Sequence, residues 1–417
     1  MKESKMLEFK SDVSNTFLKT VSAYANFNSG IIKFGVNDDG GICGILNPDQ
    51  ACLDIENRIN DSISPKPDYT LSVNRSTNVI TLSVAEGKYK PYLYRGKAYQ
   101  RSDTATIEVD NLELRRLTLE GANINFEELT AEDQSLTFTY LEKKLVEKLE
   151  ISSLTDDMLR TFGFYTNEKT FNVAAALFAD ANSYCGIDVA RFGKNISEIL
   201  DRATFSGESI LRQYDEIIAL FKRYYQYEKI EGFERINVDL IPEKAFREAI
   251  ANALVHRTWD INAHIRVEMH PDRIQIISPG GLPRGLSAEE YLSGNISCLR
   301  NPVAGSMFFR MHYIEMFGTG IRRIKESYLN STIKPSFEIF DNSIKITLPV
   351  LSQKHNVTTD GQKVIDLLQS GMQLSSREIA DKLGWSKDKA VRVINVLKSS
   401  GYLMTIGNGR GTKYCLV

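Results

Sequence analysis

The amino-acid sequence predicts a multidomain protein of the α+β class. The chain has 417 residues, more than one hydrophobic core usually organises, so two to four domains are expected. In the N-terminal part, strand-like alternation of apolar and polar residues is interspersed with helical spacing of apolar residues. The C-terminal tail instead has three short helical patterns, followed by two strand-like runs around a glycine turn. The N-terminal part is therefore expected to mix helices and strands, whereas the tail is expected to place three helices before two strands.

Residues 1–118 are predicted to form the first α+β domain. Residues 5–45 show, in order, a strand, a helix, a strand, a hairpin turn at 38–41 and another strand. Further strand-like runs lie at 69–73, 79–84 and 92–101.

Residues 119–235 are predicted to be a mainly helical connecting region without a chemical motif, because long amphipathic stretches lie at 141–149 and 209–227. Residues 236–350 are predicted to form the next domain, in which a helix beginning near Pro242 precedes two strands. These strands are expected at 265–269 and 273–277.

Residues 351–417 are predicted to form a winged helix-turn-helix. Helices are expected at 361–369, 376–383 and 386–399, and strands at 402–406 and 412–417. Segment 355–417 has six Lys and three Arg against four Asp and one Glu, hence about +4. Its candidate DNA contacts are Lys387, Lys389, Arg392 and Arg410. Winged helices also serve as protein docking modules, so the alternative to DNA binding is that the tail docks another protein.

Composition excludes several other classes of protein. A net charge of −2 provides no global attraction for nucleic acid, which would have to bind local basic patches. Five scattered cysteines argue against a zinc ribbon or a disulfide framework. The longest purely apolar run, 173–179, is too short to span a membrane, and the first residues do not resemble a signal peptide. A cytoplasmic protein is expected.

Glu248 and Asn252 form the most informative pair in the sequence. They lie one turn apart on one face of a predicted helix, away from its apolar stripe. A carboxylate and an amide so placed can hold a divalent cation and orient a water towards a phosphate. Two glycine turns, at 278–283 and 318–323, follow downstream. The alternative is an ordinary exposed helix face.

Glu3, Glu8 and Asp38 form a second candidate site. Three carboxylates at one point could bind Mg²⁺ or Mn²⁺, and Lys10, on the same side of the strand as Glu8, could offset charge on a scissile phosphate. The alternative is a solvated strand face on which Glu8 and Lys10 form an ion pair, with Asp38 simply suited to its turn.

A third candidate is a basic, tyrosine-rich segment at 88–101. It carries Lys88, Lys90, Arg95, Lys97 and Arg101, interleaved with Tyr89, Tyr92, Tyr94 and Tyr99. Basic groups neutralise phosphates and tyrosine rings stack on unpaired bases, so the composition suits nucleic acid, with Tyr94 as the stacking candidate. Alternatively, the tyrosines belong to the core of a β-hairpin.

The N-terminal motifs resemble the Schlafen-type AlbA-like domain. They are Glu3-Ser-Lys-Met-Leu-Glu8-Phe-Lys10, Asn28-Ser-Gly30, the turn at 34–41 and Gly96-Lys-Ala-Tyr-Gln-Arg101. Some members of that family are Mg²⁺- or Mn²⁺-dependent ribonucleases, and many bacterial members are described as DNA-binding regulators. The resemblance assigns Glu3 and Glu8 to the paired glutamates. The third acid lies within 37–39, and Asp38 is the choice.

The later motifs resemble, in their order, the Bergerat-fold ATPases of the gyrase, histidine kinase and MutL superfamily. That resemblance implies an α/β sandwich in which Glu248 activates water and Asn252 ligates Mg²⁺. It also implies close approach of phosphates to the backbone at Gly280, Gly281, Gly318 and Gly320. The sequence departs from the family at Ser278, which replaces the adenine-reading aspartate, and at Leu282, which replaces a glycine. A serine can bond the adenine amine without charge, so a weaker bond is expected.

The three resemblances together predict an ATP-responsive, nucleic-acid-binding transcriptional regulator of bacterial type. Its expected cofactors are ATP and Mg²⁺ or Mn²⁺, and its expected partners are DNA, RNA and further copies of the chain. The alternative is a metal-dependent nuclease acting on RNA or single-stranded DNA, and a third option is an assembly protein with a vestigial ATPase unit. No G-x-x-x-x-G-K-[ST] loop occurs, so helicase activity is not expected.

Overall fold

The computed structural model describes residues 2–231, 234–283, 285–294, 298–315, 318–351, 358–368, 372–399, 402–407 and 409–416. The N-terminal elements are β1 (Leu7–Lys10), α1 (Phe17–Phe27), β2 (Gly30–Phe34), α2 (Pro48–Ser62), β3 (Ile63–Ser64), β4 (Tyr69–Asn74), β5 (Val79–Val84), β6 (Leu93–Tyr94), β7 (Tyr99–Ser102), β8 (Ala105–Glu108) and α3 (Asn111–Gly121).

A mixed sheet organises this N-terminal part, with strand order β1-β2-β5-β4 in the described residues. β1 and β2 are parallel, and the other neighbours are antiparallel. Helix α1 belongs to the same core as the sheet, where the rings of Phe17 and Phe34 meet edge to face at 5.2 Å. The strands predicted at 69–73 and 79–84 and the first helix are present, whereas the run at 92–101 is divided between β6 and β7, and α2 was not predicted. The strand expected after the 38–41 turn is only a single bridge between Val36 and Ile42.

The central part begins with a 3-10 turn at Phe126–Glu128 and continues to residue 349. Its elements are α4 (Thr139–Leu149), α5 (Asp156–Thr161), α6 (Val173–Phe178), β9 (Ile187–Phe192), β10 (Ile199–Phe205), α7 (Ile210–Tyr225), β11 (Gln226–Glu231), β12 (Glu234–Asp239), α8 (Glu243–His256), β13 (Ile265–Met269), β14 (Arg273–Pro279), α9 (Ala288–Ser293), α10 (Pro302–Arg310), α11 (Gly320–Glu326), β15 (Ser336–Phe340) and β16 (Ser343–Pro349).

One sheet and one hydrophobic core unite this central part. Across the described residues the strand order is β10-β9-β13-β14-β16-β15, in which only the β9–β13 pair is parallel. Strands β9 and β10 come from the region that was predicted to be mainly helical. The core runs continuously from Phe138 to Leu348, so the predicted boundary near residue 235 falls inside it. Sequence patterns did not reveal this because strand pairing joins distant segments.

Helix α8 is the central element of that core. Nine of its 14 residues are buried, including the predicted apolar stripe. Phe246 stacks on Phe221 of α7 with ring centroids 4.3 Å apart, and the helix packs on β14 and β16. Its polar residues Glu248 and Asn252 are thereby held at fixed positions.

One polar contact ties the N-terminal part to the central part, and a second joins distant segments within the central part. The Arg116 guanidinium on α3 makes two hydrogen bonds with the Asp260 carboxylate, at 2.8 and 3.2 Å. The fully buried Glu127 carboxylate accepts the backbone N–H groups of Val303 and Ala304, at 2.5 and 3.0 Å. It thus caps the N-terminus of α10 from a distant segment. Burial raises the pKa of Glu127 to about 7, although both amide bonds oppose that shift.

The tail consists of α12 (Thr359–Leu368), α13 (Ser376–Leu383), α14 (Lys387–Ser399), β17 (Leu403–Ile406) and β18 (Lys413–Leu416). These bounds agree with the predicted elements to within two residues. Ser375 caps α13, its hydroxyl accepting the N–H of Glu378 at 3.3 Å, and the Ser386 hydroxyl likewise accepts the N–H of Lys389. The three helices and β17 share a separate small core.

Among the described helices, none combines the length and the apolar character that crossing a bilayer requires.

We predict that Glu127→Ala lowers the free energy of unfolding by about 2 kcal/mol, because two amides at the start of α10 lose their acceptor. Urea denaturation at pH 8, where the carboxyl is ionised, measures the effect. Glu132→Ala, which removes an exposed glutamate nearby, is the control. Equal midpoints for the two variants would show that the Glu127 cap does not stabilise the fold.

Candidate functional site

Glu248 and Asn252 on α8 face a cleft with an empty volume of about 710 Å³. The cleft lies between α8, the turn after β14 and the start of α11. Its apolar lining consists of Pro283, Leu286, Tyr291, Leu299, Ile314, Ile321 and Ile344. Its polar lining includes His256 and Glu315. Backbone without a side chain lines the cleft at Gly281, Gly294, Gly318 and Gly320. Apolar side chains with a few polar groups among them are typical of the lining of a small-molecule site.

Gly320 touches the Glu248–Asn252 pair directly. A Cβ atom built on Gly320 would lie 2.5 Å from Glu248 Oε1 and 2.7 Å from Asn252 Nδ2. Any side chain at this position would therefore displace both groups. This contact joins the helix to the second glycine turn, two features that the sequence relates only by their order along the chain.

The Glu248 carboxylate is only 6% exposed, and its burial raises its pKa. Arg323, Asn252 and Lys244 oppose that shift. Arg323 Nη1 lies 3.7 Å from Glu248 Oε2, and Asn252 Nδ2 donates a long bond of 3.5 Å to Glu248 Oε1. Arg323 also lies 3.3 Å from Glu315, so one cation is shared between two carboxylates.

A second cleft, of about 790 Å³ including the space open to solvent, also borders Glu248 and is lined by Arg323. It is lined further by Glu243, Lys244, Arg247, His312 and Tyr313. Three basic side chains, Lys244, Arg247 and Arg323, therefore surround a space that adjoins the first cleft. An elongated ligand with an apolar end and an anionic end could occupy both.

Arg300 joins the end of α8 to the glycine turn that follows β14. Its Nε donates to the carbonyl of His256 at 3.1 Å and its Nη2 donates to the carbonyl of Gly281 at 2.7 Å. Burial, with the positive charge of Arg300, lowers the pKa of His256 to about 4, so this histidine is neutral at pH 7. A cation at a helix C-terminus also stabilises the helix dipole.

Ser278 does not point into the cleft, which corrects the expectation that it could bond adenine. Its hydroxyl is buried and donates to the carbonyl of Ala253 at 3.1 Å. Two neighbouring glycines are explained by packing. Gly280 has φ +101°, and a side chain there would overlap Thr258, whereas one on Gly281 would overlap the backbone of Asp341. Gly281 does line the cleft, but Ser278 and Gly280 do not.

Glu8 is buried between two cations. Its Oε1 lies 2.6 Å from Lys10 Nζ, and its Oε2 lies 2.7 Å from Arg101 Nη1 and accepts the Thr20 hydroxyl at 2.7 Å. The expected ion pair with Lys10 is present, but it is not a solvated one, since Glu8 is 4% exposed. Both carboxylate oxygens are thus already engaged.

The predicted metal set is not assembled in this structure. Glu3 Oε1 accepts the backbone N–H of Phe9 at 2.8 Å, and Asp38 is exposed in its turn. No group of three or more His, Cys, Asp or Glu side chains that could hold a metal occurs in the part of the chain that the structure describes. The metal-dependent nuclease hypothesis stays a prediction.

The basic, tyrosine-rich segment divides into buried and exposed members. Lys90 is unsuited to phosphate binding, because its amine is buried between Glu86 and Glu120 at 2.5 Å from each. Tyr94 is also buried and cannot stack on a base. The exposed members are Lys88, Tyr89, Arg95 and Lys97, and Lys97 pairs with Glu108 at 2.7 Å. Arg101 is 7% exposed and pairs with Glu8.

The basic residues of the tail lie on α14. Lys387 and Arg392 are exposed. Lys389 is half-buried, pairs with Asp360 at 2.8 Å and lies over the Trp385 ring at 4.5 Å, so it is less available than expected. The side chain of Arg410 falls outside the described residues.

Residues 3–110 match the family model described as "Schlafen, AlbA_2". Residues 262–348 match the model described as "Putative ATP-dependent DNA helicase recG C-terminal". The chain therefore contains a Schlafen AlbA_2 domain and an ATPase-like domain similar to the recG C-terminal region. The second match begins after α8, so it covers the glycine turns but not Glu248 or Asn252.

The chain also resembles the crystal structure of the DIP2311 protein from Corynebacterium diphtheriae. The TM-score is 0.50 at 20% sequence identity, and the match covers 99% of this chain and 92% of the other. This likeness shows a shared fold. No curated protein matches the chain.

Sequence reasoning missed the residues that connect the ATPase-like domain to its surroundings. Arg323 lies within the glycine turn at 318–323 but had no predicted role, and Arg300 belongs to no predicted motif. Both contacts cross between elements far apart in the sequence, and no local pattern reports them. The glycine turn at 318–323 was part of the predicted set, and its Gly320 lies against Glu248 and Asn252.

We predict that Glu8→Gln in the AlbA_2 domain lowers the free energy of unfolding by about 3 kcal/mol, because Arg101 is then left buried without its counter-charge. This differs from the expectation for a solvated carboxylate, whose replacement would leave folding intact. Glu108→Gln, in the exposed pair with Lys97, is the matched control and should change little. Equal urea midpoints for the two variants would contradict the prediction.

Proposed function

We propose that this protein is a nucleotide-responsive, nucleic-acid-binding regulator. The observation that carries the proposal is the contact of Gly320 with both Glu248 and Asn252 at the mouth of the cleft. In this account the cleft binds ATP, and the AlbA_2 domain and the tail bind nucleic acid.

The cleft residues fit an adenine nucleotide at most positions. The apolar side chains that line the cleft suit a base. The Asn252 amide oxygen is a hard donor of the kind that Mg²⁺ prefers, and a bound Mg²⁺ would neutralise phosphate charge. Arg323 and the basic second cleft suit the phosphates. Only the base end lacks a charged group that could hydrogen-bond adenine. Ser278, which replaces the family's aspartate, is uncharged, and its hydroxyl donates to a carbonyl of α8.

Slow hydrolysis is expected from the surroundings of Glu248. The Arg323 guanidinium, 3.7 Å away, holds the carboxylate in an ion pair, and a general base must be free to accept a proton from water. A ligand phosphate that drew Arg323 away would free Glu248. The site thus suits a nucleotide sensor better than a fast ATPase.

The tail is proposed to act as a winged helix that binds duplex DNA. In this proposal α14 is the recognition helix, on which Lys387 and Arg392 are exposed. The AlbA_2 domain is proposed to bind nucleic acid through the exposed Lys88 and Arg95. A homo-oligomer fits this function because paired winged helices gain affinity through avidity.

We predict that Asn252→Ala abolishes Mg²⁺-dependent ATP binding, whereas Glu248→Gln retains binding and loses any hydrolysis, since only a carboxylate can take the proton from water. Isothermal titration calorimetry and phosphate release measure the two steps. An absence of ATP binding by the wild-type protein would refute the nucleotide site.

Glycine variants provide a structural control for this test. Gly320→Ala should weaken ATP binding by displacing Glu248 and Asn252. Gly411→Ala should have no effect, since its added methyl meets nothing within 4 Å.

We predict that the double variant Lys387→Ala, Arg392→Ala binds duplex DNA more weakly and lowers the slope of log K against log salt by about one to two units. Fluorescence anisotropy over a salt series measures the slope. Lys382→Ala, which removes an exposed lysine from α13, is the control. An unchanged slope would assign the tail to protein docking instead.

A further inference from the structure

A cavity in the AlbA_2 domain has no role in the function proposed so far. It lies between α1 and β7 and has an empty volume of about 300 Å³. Ala23 and Phe27 line it on the apolar side. Its polar lining consists of Lys5, Tyr24, Asn28, Gln100 and Arg101.

Two polar atoms in the buried part of this cavity have no partner in the described structure. Tyr24 is 1% exposed and Arg101 is 7% exposed, and neither the Tyr24 hydroxyl nor Arg101 Nε makes a hydrogen bond. The other Arg101 nitrogens are engaged with Glu8 at 2.7 Å and with the Ser4 carbonyl at 3.2 Å. Buried polar groups are almost always paired, so two unpaired ones at one cavity indicate a missing partner.

The Tyr24 hydroxyl is available as a donor at a fixed position. Burial raises the pKa of Tyr24, so the hydroxyl keeps its proton. The ring packs against Gly30, where any side chain would overlap it. Tyr24 is therefore placed by the fold, and its hydroxyl is not needed to hold it there.

The charges around the cavity favour an anion. Near Tyr24 the negative charges of Glu3 and Glu8 are balanced by the positive charges of Lys10 and Arg101. Lys5 adds a further cation at the exposed rim. Tyr24, Arg101 and Lys5 all line this cavity, and they carry an O–H, an N–H and an ammonium group that can donate to the oxygen atoms of a phosphate.

We propose that this cavity binds the terminal phosphate of a nucleic-acid strand. The proposal deepens the nucleic-acid binding proposed above and rests on it. A phosphate that reaches the buried Tyr24 hydroxyl and Arg101 Nε must enter the cavity. A terminal monoester has one sugar to accommodate at the mouth, whereas an internal diester has two, so a strand end fits better.

The test compares three single-stranded oligonucleotides of one sequence in fluorescence anisotropy. One carries a 5′-phosphate, one a 3′-phosphate, and one has hydroxyls at both ends. We expect one phosphorylated oligonucleotide to bind about tenfold more tightly than the hydroxyl-ended one, and the better of the two identifies the end. Equal affinities for all three would overturn the terminal-phosphate site and leave nucleic-acid binding intact. No binding of any oligonucleotide would overturn both.

Variants locate the preference in this cavity. Tyr24→Phe removes only the unpaired hydroxyl, so it should abolish most of the terminal-phosphate preference without weakening the hydroxyl-ended oligonucleotide or the fold. Tyr69→Phe, in β4 of the same domain, is the matched control and should keep the preference. Lys5→Ala, at the exposed rim, should reduce the preference independently of the buried tyrosine. Full preference in both Tyr24→Phe and Lys5→Ala would overturn the assignment.

Discussion

The burial of helix α8 is the constraint on which the central part of the structure depends. Its apolar face packs on α7, β14 and β16 within one continuous core, and this fixes the rotation of the helix. Because the rotation is fixed, Glu248 and Asn252 can face only the cleft. The start of α11 then approaches so closely that position 320 accepts only glycine without displacing the pair. The geometry of the site is thus a consequence of core packing.

Polar contacts extend from α8 to the rest of the molecule. His256, at the end of the helix, lines the cleft, and Asp260, four residues later, pairs with Arg116 of α3. Arg300 connects the same helix end to Gly281. A ligand that shifts the end of α8 would therefore change contacts with both the first glycine turn and the AlbA_2 domain. These contacts give the proposed nucleotide response a physical route.

Local patterns predicted the local features of the fold. The apolar stripe of α8, the capped helices of the tail and the strands at 265–269 and 273–277 follow from spacing and capping residues. Contacts between distant segments were not predictable in the same way. β9 joins β13 across more than seventy residues, and Lys90 pairs with Glu120 from another element. The same limit applies to the candidate site residues. Residue type suggested Lys90 and the family resemblance suggested Ser278, but tertiary contacts engage both side chains elsewhere.

The most direct test of the central claim measures nucleic-acid affinity with and without ATP and Mg²⁺. A coupled protein should change its Kd for nucleic acid by about fivefold or more when ATP is bound, and Asn252→Ala should show no change. The same affinity in both conditions, with ATP binding demonstrated by calorimetry, would contradict the proposed coupling between the cleft and the nucleic-acid-binding domains.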